Sequence, residues 1–182
     1  MYCSQFVTNY GTGAVYATDV GVVKVAIPDM SCLEPALETE TPEFMSSELT
    51  AYAAGKLMRY FNGESIDFAD IPVDLSGLAP FRQKVLRTTC TLRSGDICTY
   101  GQLANLCGSP RAARAVGGAL ASNSIPIIIP CHRVLAATGR LTGYSAPGGE
   151  ITKRRLLEME GVEFKGLLVV TNQLVMNRII DR

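Results

Sequence analysis

Apolar, β-branched residues cluster along Val15–Ile27 around Asp19-Val20-Gly21, which predicts two short β-strands joined by a turn. Pro28–Phe44 is rich in Glu and Pro and is expected to be a loop. Leu49, Tyr52, Ala53, Leu57 and Tyr60 then recur at three- and four-residue spacing, predicting a helix over Ser47–Phe61 that stops at Asn62-Gly63. Ile71–Leu75 suits a further strand. From Pro80 onward helical periodicity takes over. Phe81–Leu92 reads as an amphipathic helix and Thr99–Cys107 as a short one with Thr99 as its N-cap. Gly108-Ser109-Pro110 is a turn in which Gly ends one helix, Ser109 caps the next and Pro110 sits in its first turn, so that Arg111–Ser122 forms the second helix of a helix-turn-helix. The Pro-flanked run Ile125–Ile129 is expected to be a strand, Glu150–Met159 a helix, and the apolar tail Leu167–Ile180 a short strand.

The pattern predicts an α+β protein. A small strand-and-helix N-terminal domain, residues 1–79, would precede a mainly helical C-terminal domain, residues 80–182, carrying a winged-helix-like helix-turn-helix. Charge divides at the same place. Residues 1–79 hold 11 Asp and Glu against 3 Lys and Arg, and residues 80–182 hold 14 Lys and Arg against 6 Asp and Glu. The net charge of zero therefore conceals a basic half, as a DNA-facing module carried beside an acidic one requires, although two mutually attracting solvated faces would read the same way.

Of the 182 residues 47% are hydrophobic, enough for a real core. No basic stretch followed by an apolar run opens the chain, and no apolar run is long enough to span a bilayer, so a soluble protein is expected, cytoplasmic in a prokaryote or nuclear in a eukaryote. Six cysteines without a CxxC pair, beside a single histidine, favour reduced thiols over a disulfide framework or a zinc site. No metal or other cofactor is expected.

Two segments carry candidate chemistry. Arg111-Ala-Ala-Arg-Ala-Val-Gly-Gly-Ala-Leu-Ala121 tolerates two helix-weakening glycines. Small side chains suit a backbone that must approach something closely, either a neighbouring helix or the minor groove of DNA. Ile125-Pro-Ile-Ile-Ile-Pro-Cys-His-Arg-Val134 sets Cys131 beside His132, the only histidine. A thiol becomes a competent nucleophile when a base takes its proton. Adjacent side chains rarely face each other, so a water between them and an acid behind the imidazole form the expected arrangement.

Together with Phe81-Arg-Gln-Lys-Val, Tyr100-Gly-Gln-Leu-Ala, Asn123-Ser-Ile-Pro, Gly143-Tyr-Ser and Lys153-Arg-Arg-Leu-Leu-Glu-Met-Glu-Gly, these segments resemble, in order, the O6-alkylguanine-DNA alkyltransferase family. The resemblance runs from about residue 80 to 161; residues 1–79 share only the family's general shape. It implies single-turnover repair of double-stranded DNA by a monomer, with O6-alkylguanine as the lesion and O4-alkylthymine as a second candidate. Cys131 would accept the alkyl group, His132 would take the thiol proton through a water, Glu160 (rather than Glu158) would hold His132, and Asn123 would tie the recognition helix to the active-site segment. Arg114 would fill the stack as the base flips out through the minor groove, and Tyr100 would meet the guanine edge and crowd the phosphate. Arg111, Ala115, Gly117 and Gly118 would lie along the DNA. Pro126, Tyr144 and the backbone at Val134 and Ser145 would form the base pocket. Thr142, where Gly is common, and the Ser145–Gly149 loop, longer than the family's shortest, would bear on the size of alkyl group accepted.

Three rivals make different demands. A non-repairing lesion sensor of the same fold would lack the nucleophile that Cys131 supplies. A transcriptional regulator would place polar base-reading side chains where this helix has Ala and Gly. A Cys-His hydrolase would turn over and need no DNA-facing helix.

Overall fold

The computed structural model describes residues 1–32 and 44–170. Three antiparallel strands open the chain: β1 (Tyr2–Thr8), β2 (Gly11–Ala17) and β3 (Val22–Ala26), in the order β1-β2-β3. The predicted turn at Asp19-Val20-Gly21 joins β2 to β3, but β1 was not anticipated; it pairs along its whole length with β2, from Tyr2 opposite Ala17 to Thr8 opposite Gly11. Helix α1 (Glu48–Phe61) lies across β1 and β2. Its N-cap Ser47 and Thr50 form a reciprocal capping box, and Ala53, Ala54, Leu57, Tyr60 and Phe61 are buried in the core. A fully buried Leu such as Leu57 contributes ~1.5–3 kcal/mol.

Ile71–Leu75 is not a strand of its own. Val73 makes one isolated bridge to Val22, fastened by Val22 N–H to Pro72 O at 2.8 Å and Asp74 N–H to Val22 O at 2.9 Å. Helix α2 (Pro80–Thr89) starts with Pro in its first turn. Strand β4 (Cys98–Thr99) leads straight into helix α3 (Tyr100–Leu106), where Thr99 and Gln102 form a second capping box. Helix α4 (Ala113–Ala121) completes a three-helix cluster with α2 and α3. It begins two residues later than expected, and Ser109 does not cap it. Residues 109–112 close their own turn, Ala112 N–H to Ser109 O at 2.9 Å, which leaves Ala112 as an N-cap without a side-chain acceptor.

The run Ile125–Ile129 is a tight turn instead of a strand. Ile129 N–H reaches back to Ile125 O at 2.9 Å, and Ile127 holds φ at 71°, a left-handed conformation rare for a β-branched residue. The apolar run needed burial, and a turn with every residue buried satisfies that as well as a strand does. A short 3-10 turn, Cys131–Arg133, follows. Strand β5 (Val134–Leu135) then pairs in parallel with β4, Cys98 opposite Val134. Helix α5 (Gly149–Met159) ends at Glu160 and Gly161, the latter at φ 81°, and β6 (Phe164–Lys165) pairs with β7 (Leu168–Val169). The remainder of the expected tail strand, and most of the expected loop at Pro28–Phe44, lie outside the described residues.

The result is a mixed fold of helices and small sheets. One continuous core runs from Phe6 and Val15 through Leu57, Phe61 and Val85 to Ile129, Cys131 and Leu156, so the sheet and the helical cluster share an interior. The free edge of β3 is met by the segment after α4, Val25 N–H to Ser124 O at 2.8 Å and Ser124 Oγ–H to Val23 O at 2.9 Å. Among the described residues no helix is long and apolar enough to cross a membrane.

Candidate active site

Asn123, just past the end of α4, organises the turn that presents Cys131. Its Oδ1 accepts from Ile125 N–H at 3.0 Å, and its Nδ2 donates to Ile129 O at 3.0 Å and lies 3.1 Å from Cys131 Sγ. The strained Ile127 is thereby clamped from both sides, and strain of this kind persists only where surrounding bonds over-determine it. Cys131 is 7% exposed. Burial pushes its thiol up, while the Asn123 amide and the charge of Lys153 favour the thiolate.

The 3-10 turn directs His132 and Arg133 inward, against Glu160. His132 Nε2 lies 2.9 Å from Glu160 Oε1. Arg133 grips the carboxylate with Nε on Oε2 and Nη2 on Oε1, both at 2.8 Å, and its Nη1 donates to Leu92 O at 2.6 Å. Glu160 stands at the C-terminal end of α5, where the helix dipole is unfavourable to an anion, so these donors are what hold the charge there. Burial raises Glu160, but His132 and Arg133 outweigh it and hold the carboxyl far below the usual carboxylate range. Burial draws His132 down despite the nearby carboxylate, which keeps the imidazole neutral and able to act as a base. Its Nδ1 is buried without a partner among the described residues.

Lys153, on α5, is almost wholly buried and was not foreseen as a site residue. Its Nζ donates to Val134 O at 2.8 Å and to Thr142 O at 3.2 Å, tying the 142–145 lip to β5. Burial lowers it to about 8, against the raising influence of Cys131 and Glu150. A second residue the sequence did not flag is Tyr60 of α1, whose hydroxyl donates to Glu160 Oε1 at 2.7 Å.

Two cavities meet at Cys131. The larger, ≈ 440 Å³, is walled by Tyr100, Gly117, Leu120 and Ala121 on the helical side and by Thr142–Ser145 on the other. The smaller, ≈ 280 Å³, runs from Cys131 between Pro126, Tyr144 and Pro147 towards the end of β3 and Ile27 just past it. Of the expected pocket residues, Pro126, Tyr144 and Ser145 line these cavities. Val134 is not among their lining residues; it is buried in β5 with its carbonyl taken by Lys153. Tyr144 points a buried hydroxyl inward, with no partner among the described residues. Of the expected DNA-facing residues, Tyr100 and Gly117 reach the larger cavity, Arg114, Ala115 and Gly118 are exposed on α4, and Arg111 is exposed in the turn before it. Glu158 instead pairs with Arg154 on the surface. Among the described residues no three His, Cys, Asp or Glu side chains converge as a metal site would need.

Residues 80–162 match the family described as 6-O-methylguanine DNA methyltransferase, DNA binding domain. A methylated-DNA--protein-cysteine methyltransferase of Mycobacterium tuberculosis is 47% identical over 108 residues, 59% of this chain; the chain spans 63% of the length of that relative. The crystal structure of Mycobacterium tuberculosis OGT in complex with DNA aligns over 88% of this chain and 92% of its own, with 32% identity and a TM-score of 0.69. The crystal structure of the O6-methylguanine methyltransferase of the same organism aligns over 100% of this chain and 99% of its own, with 30% identity and a TM-score of 0.68. Likeness at that identity across nearly the whole length of both chains places this protein in the O6-methylguanine-DNA methyltransferase family.

Proposed function

We propose that the protein repairs double-stranded DNA by transferring the alkyl group of an O6-alkylguanine, irreversibly and once per molecule, to Cys131. The observation that carries this reading is the position of the sulfur. It lies on the wall of a cavity bordered by α3 and α4, with the His132–Glu160 pair behind it.

With Nε2 engaged by Glu160, Nδ1 is the His132 nitrogen left to take the thiol proton, through a bridging water. The thiolate attacks the alkyl carbon, the sulfur–carbon bond forms, and the carbon–oxygen bond breaks with its electron pair passing to the guanine oxygen. The Ser145 N–H is suited to stabilise that leaving oxygen. The thioether product has no easy return to a thiol, which makes the reaction stoichiometric. No cofactor enters these steps.

A base inside the duplex cannot meet a sulfur buried this deeply, so the nucleotide must rotate out at a cost of a few kcal/mol. The exposed face of α4, with Ala115 and Gly118, suits close approach to the minor groove, with Arg114 in the vacated stack, Arg111 alongside the backbone and Tyr100 against the guanine edge. On this reading residues 80–182 form a winged-helix-like reactive domain and residues 1–79 a supporting domain. The protein works as a monomer in the cytoplasm of a prokaryote, or in a eukaryotic nucleus.

Mass spectrometry after incubation with a duplex carrying O6-methylguanine tests the proposal. One methyl mass on the peptide containing Cys131 is expected. Folded, reduced protein that gains no mass would overturn it.

A further inference from the structure

We propose that Tyr60 is a positioning residue for the proton relay: from the N-terminal helix it shares Glu160 Oε1 with His132 and thereby sets how strongly the carboxylate pulls on the imidazole. The inference rests on the reading of Cys131, His132 and Glu160 given above.

Oε1 is crowded. Tyr60 Oη lies 2.7 Å away, Arg133 Nη2 2.8 Å and His132 Nε2 2.9 Å, whereas Oε2 receives Arg133 Nε at 2.8 Å and Gly95 N–H at a long 3.5 Å. A carboxylate oxygen has two lone pairs, so three donors on one oxygen compete. Whatever electron density Tyr60 draws is withheld from His132.

The Tyr60 hydroxyl has little freedom to leave. The residue is 3% exposed. Its ring is held edge-on by Phe61 and Phe68, with centroids 5.7 and 5.8 Å away. Its phenol is raised well above its ordinary value, by burial first and then by Glu160, so it remains a donor across the working pH range. The other charged or titratable groups acting on the pair are Arg133 beside it, and Lys153 and Tyr144 at longer range. Tyr60 alone among these hydrogen-bonding partners comes from residues 1–79, and it gives that acidic half a part in the chemistry beyond support.

His132 is the only histidine in the chain, so an imidazole NMR titration reports it without assignment ambiguity. Tyr60→Phe removes one competitor, and the His132 midpoint should rise by roughly half a unit or more. Tyr60→3-fluorotyrosine, a stronger donor differing by one atom, should lower it. The acid limb of the rate of methyl transfer from an O6-methylguanine duplex should move in the same directions. Leu57→Val, a packing change one turn earlier on α1, should leave the midpoint in place.

A Tyr60→Phe protein that titrates like wild type overturns the proposal, as does a Leu57→Val protein that shifts as much. If Tyr60→Phe does not fold, the fluorotyrosine protein decides alone, an unmoved midpoint counting against the idea. Failure of wild-type Cys131 to gain a methyl group would instead defeat the repair reading, while the titration still decides whether Tyr60 tunes His132.

Discussion

Arg133 lies flat against Glu160, two parallel bonds of 2.8 Å joining guanidinium to carboxylate, with the Glu160 side chain 1% exposed. The pair is close to neutral as a unit. On the proposed reading Glu160 orients His132 and stabilises the imidazolium once a proton arrives, without making the resting imidazole strongly basic. Glu160→Gln should reduce alkyl transfer by about 10²-fold or more. It also leaves Arg133 buried without its counter-charge, at a cost on the order of 3–5 kcal/mol. Denaturant unfolding and single-turnover rates, read on one preparation, check both effects. Because the folded carboxyl titrates below its unfolded value, wild type should lose stability as pH falls below ~4.3, and Glu160→Gln should lack that part of the loss.

Asn123 makes two bonds to the turn and one approach to sulfur through a single amide. Asn123→Ala should destabilise the protein by about 1–3 kcal/mol through unpaired backbone groups. It should also remove a donor that favours the thiolate, raising the Cys131 thiol further. Iodoacetamide labelling of Cys131, followed by peptide mass across pH, should show its midpoint displaced to higher pH.

Gly118 faces open space, with nothing within 4 Å of an added Cβ. Gly118→Leu should therefore stabilise α4 by up to about 1 kcal/mol from helix propensity. The same side chain would stand where the proposed groove contact requires a bare backbone. A higher Tm together with strongly slowed transfer from duplex, and nearly normal transfer from free O6-benzylguanine, is expected. Equal rates on both substrates would remove α4 from the interface.

Arg114→Ala offers a complementary test, since Arg114 is exposed and touches neither cavity. Loss on duplex should exceed loss on free alkylated base by tenfold or more, about 1.4 kcal/mol.

Lys153 titrates near 8 when folded, below its unfolded value. Between that pH and roughly 10.4 the unfolded chain binds the extra proton, so wild-type stability should gain on the order of 2–3 kcal/mol as pH rises through the window. Lys153→Met should lack this gain. With the Thr142 tether cut, the 142–145 lip should also loosen, seen as faster amide exchange there and slower alkyl transfer.

Much of this site was legible because its residues are neighbours in sequence. Cys131, His132 and the small-residue helix stand within one stretch, and Thr99 was readable as the N-cap of its helix. Glu160 was found through family likeness; local pattern offered Glu158 equally well. Tyr60 and Lys153 were missed because their partners lie far away in sequence, 100 residues in the case of Tyr60, and periodicity presents both as ordinary members of a helix. The strained turn at Ile127 was misread because an apolar run declares burial without declaring its geometry. β1 escaped notice because the face it turns to α1 carries Ser4, Phe6 and Thr8, of which only Phe6 is apolar.

The parallel pairing of β4 with β5 is only two residues long, yet it joins the first residue ahead of α3 to the segment just past the thiol, Thr99 opposite Leu135. A displacement of α3 would therefore pass across that ladder to the segment that follows the sulfur, and on the proposed reading docking and chemical readiness would be geared to each other.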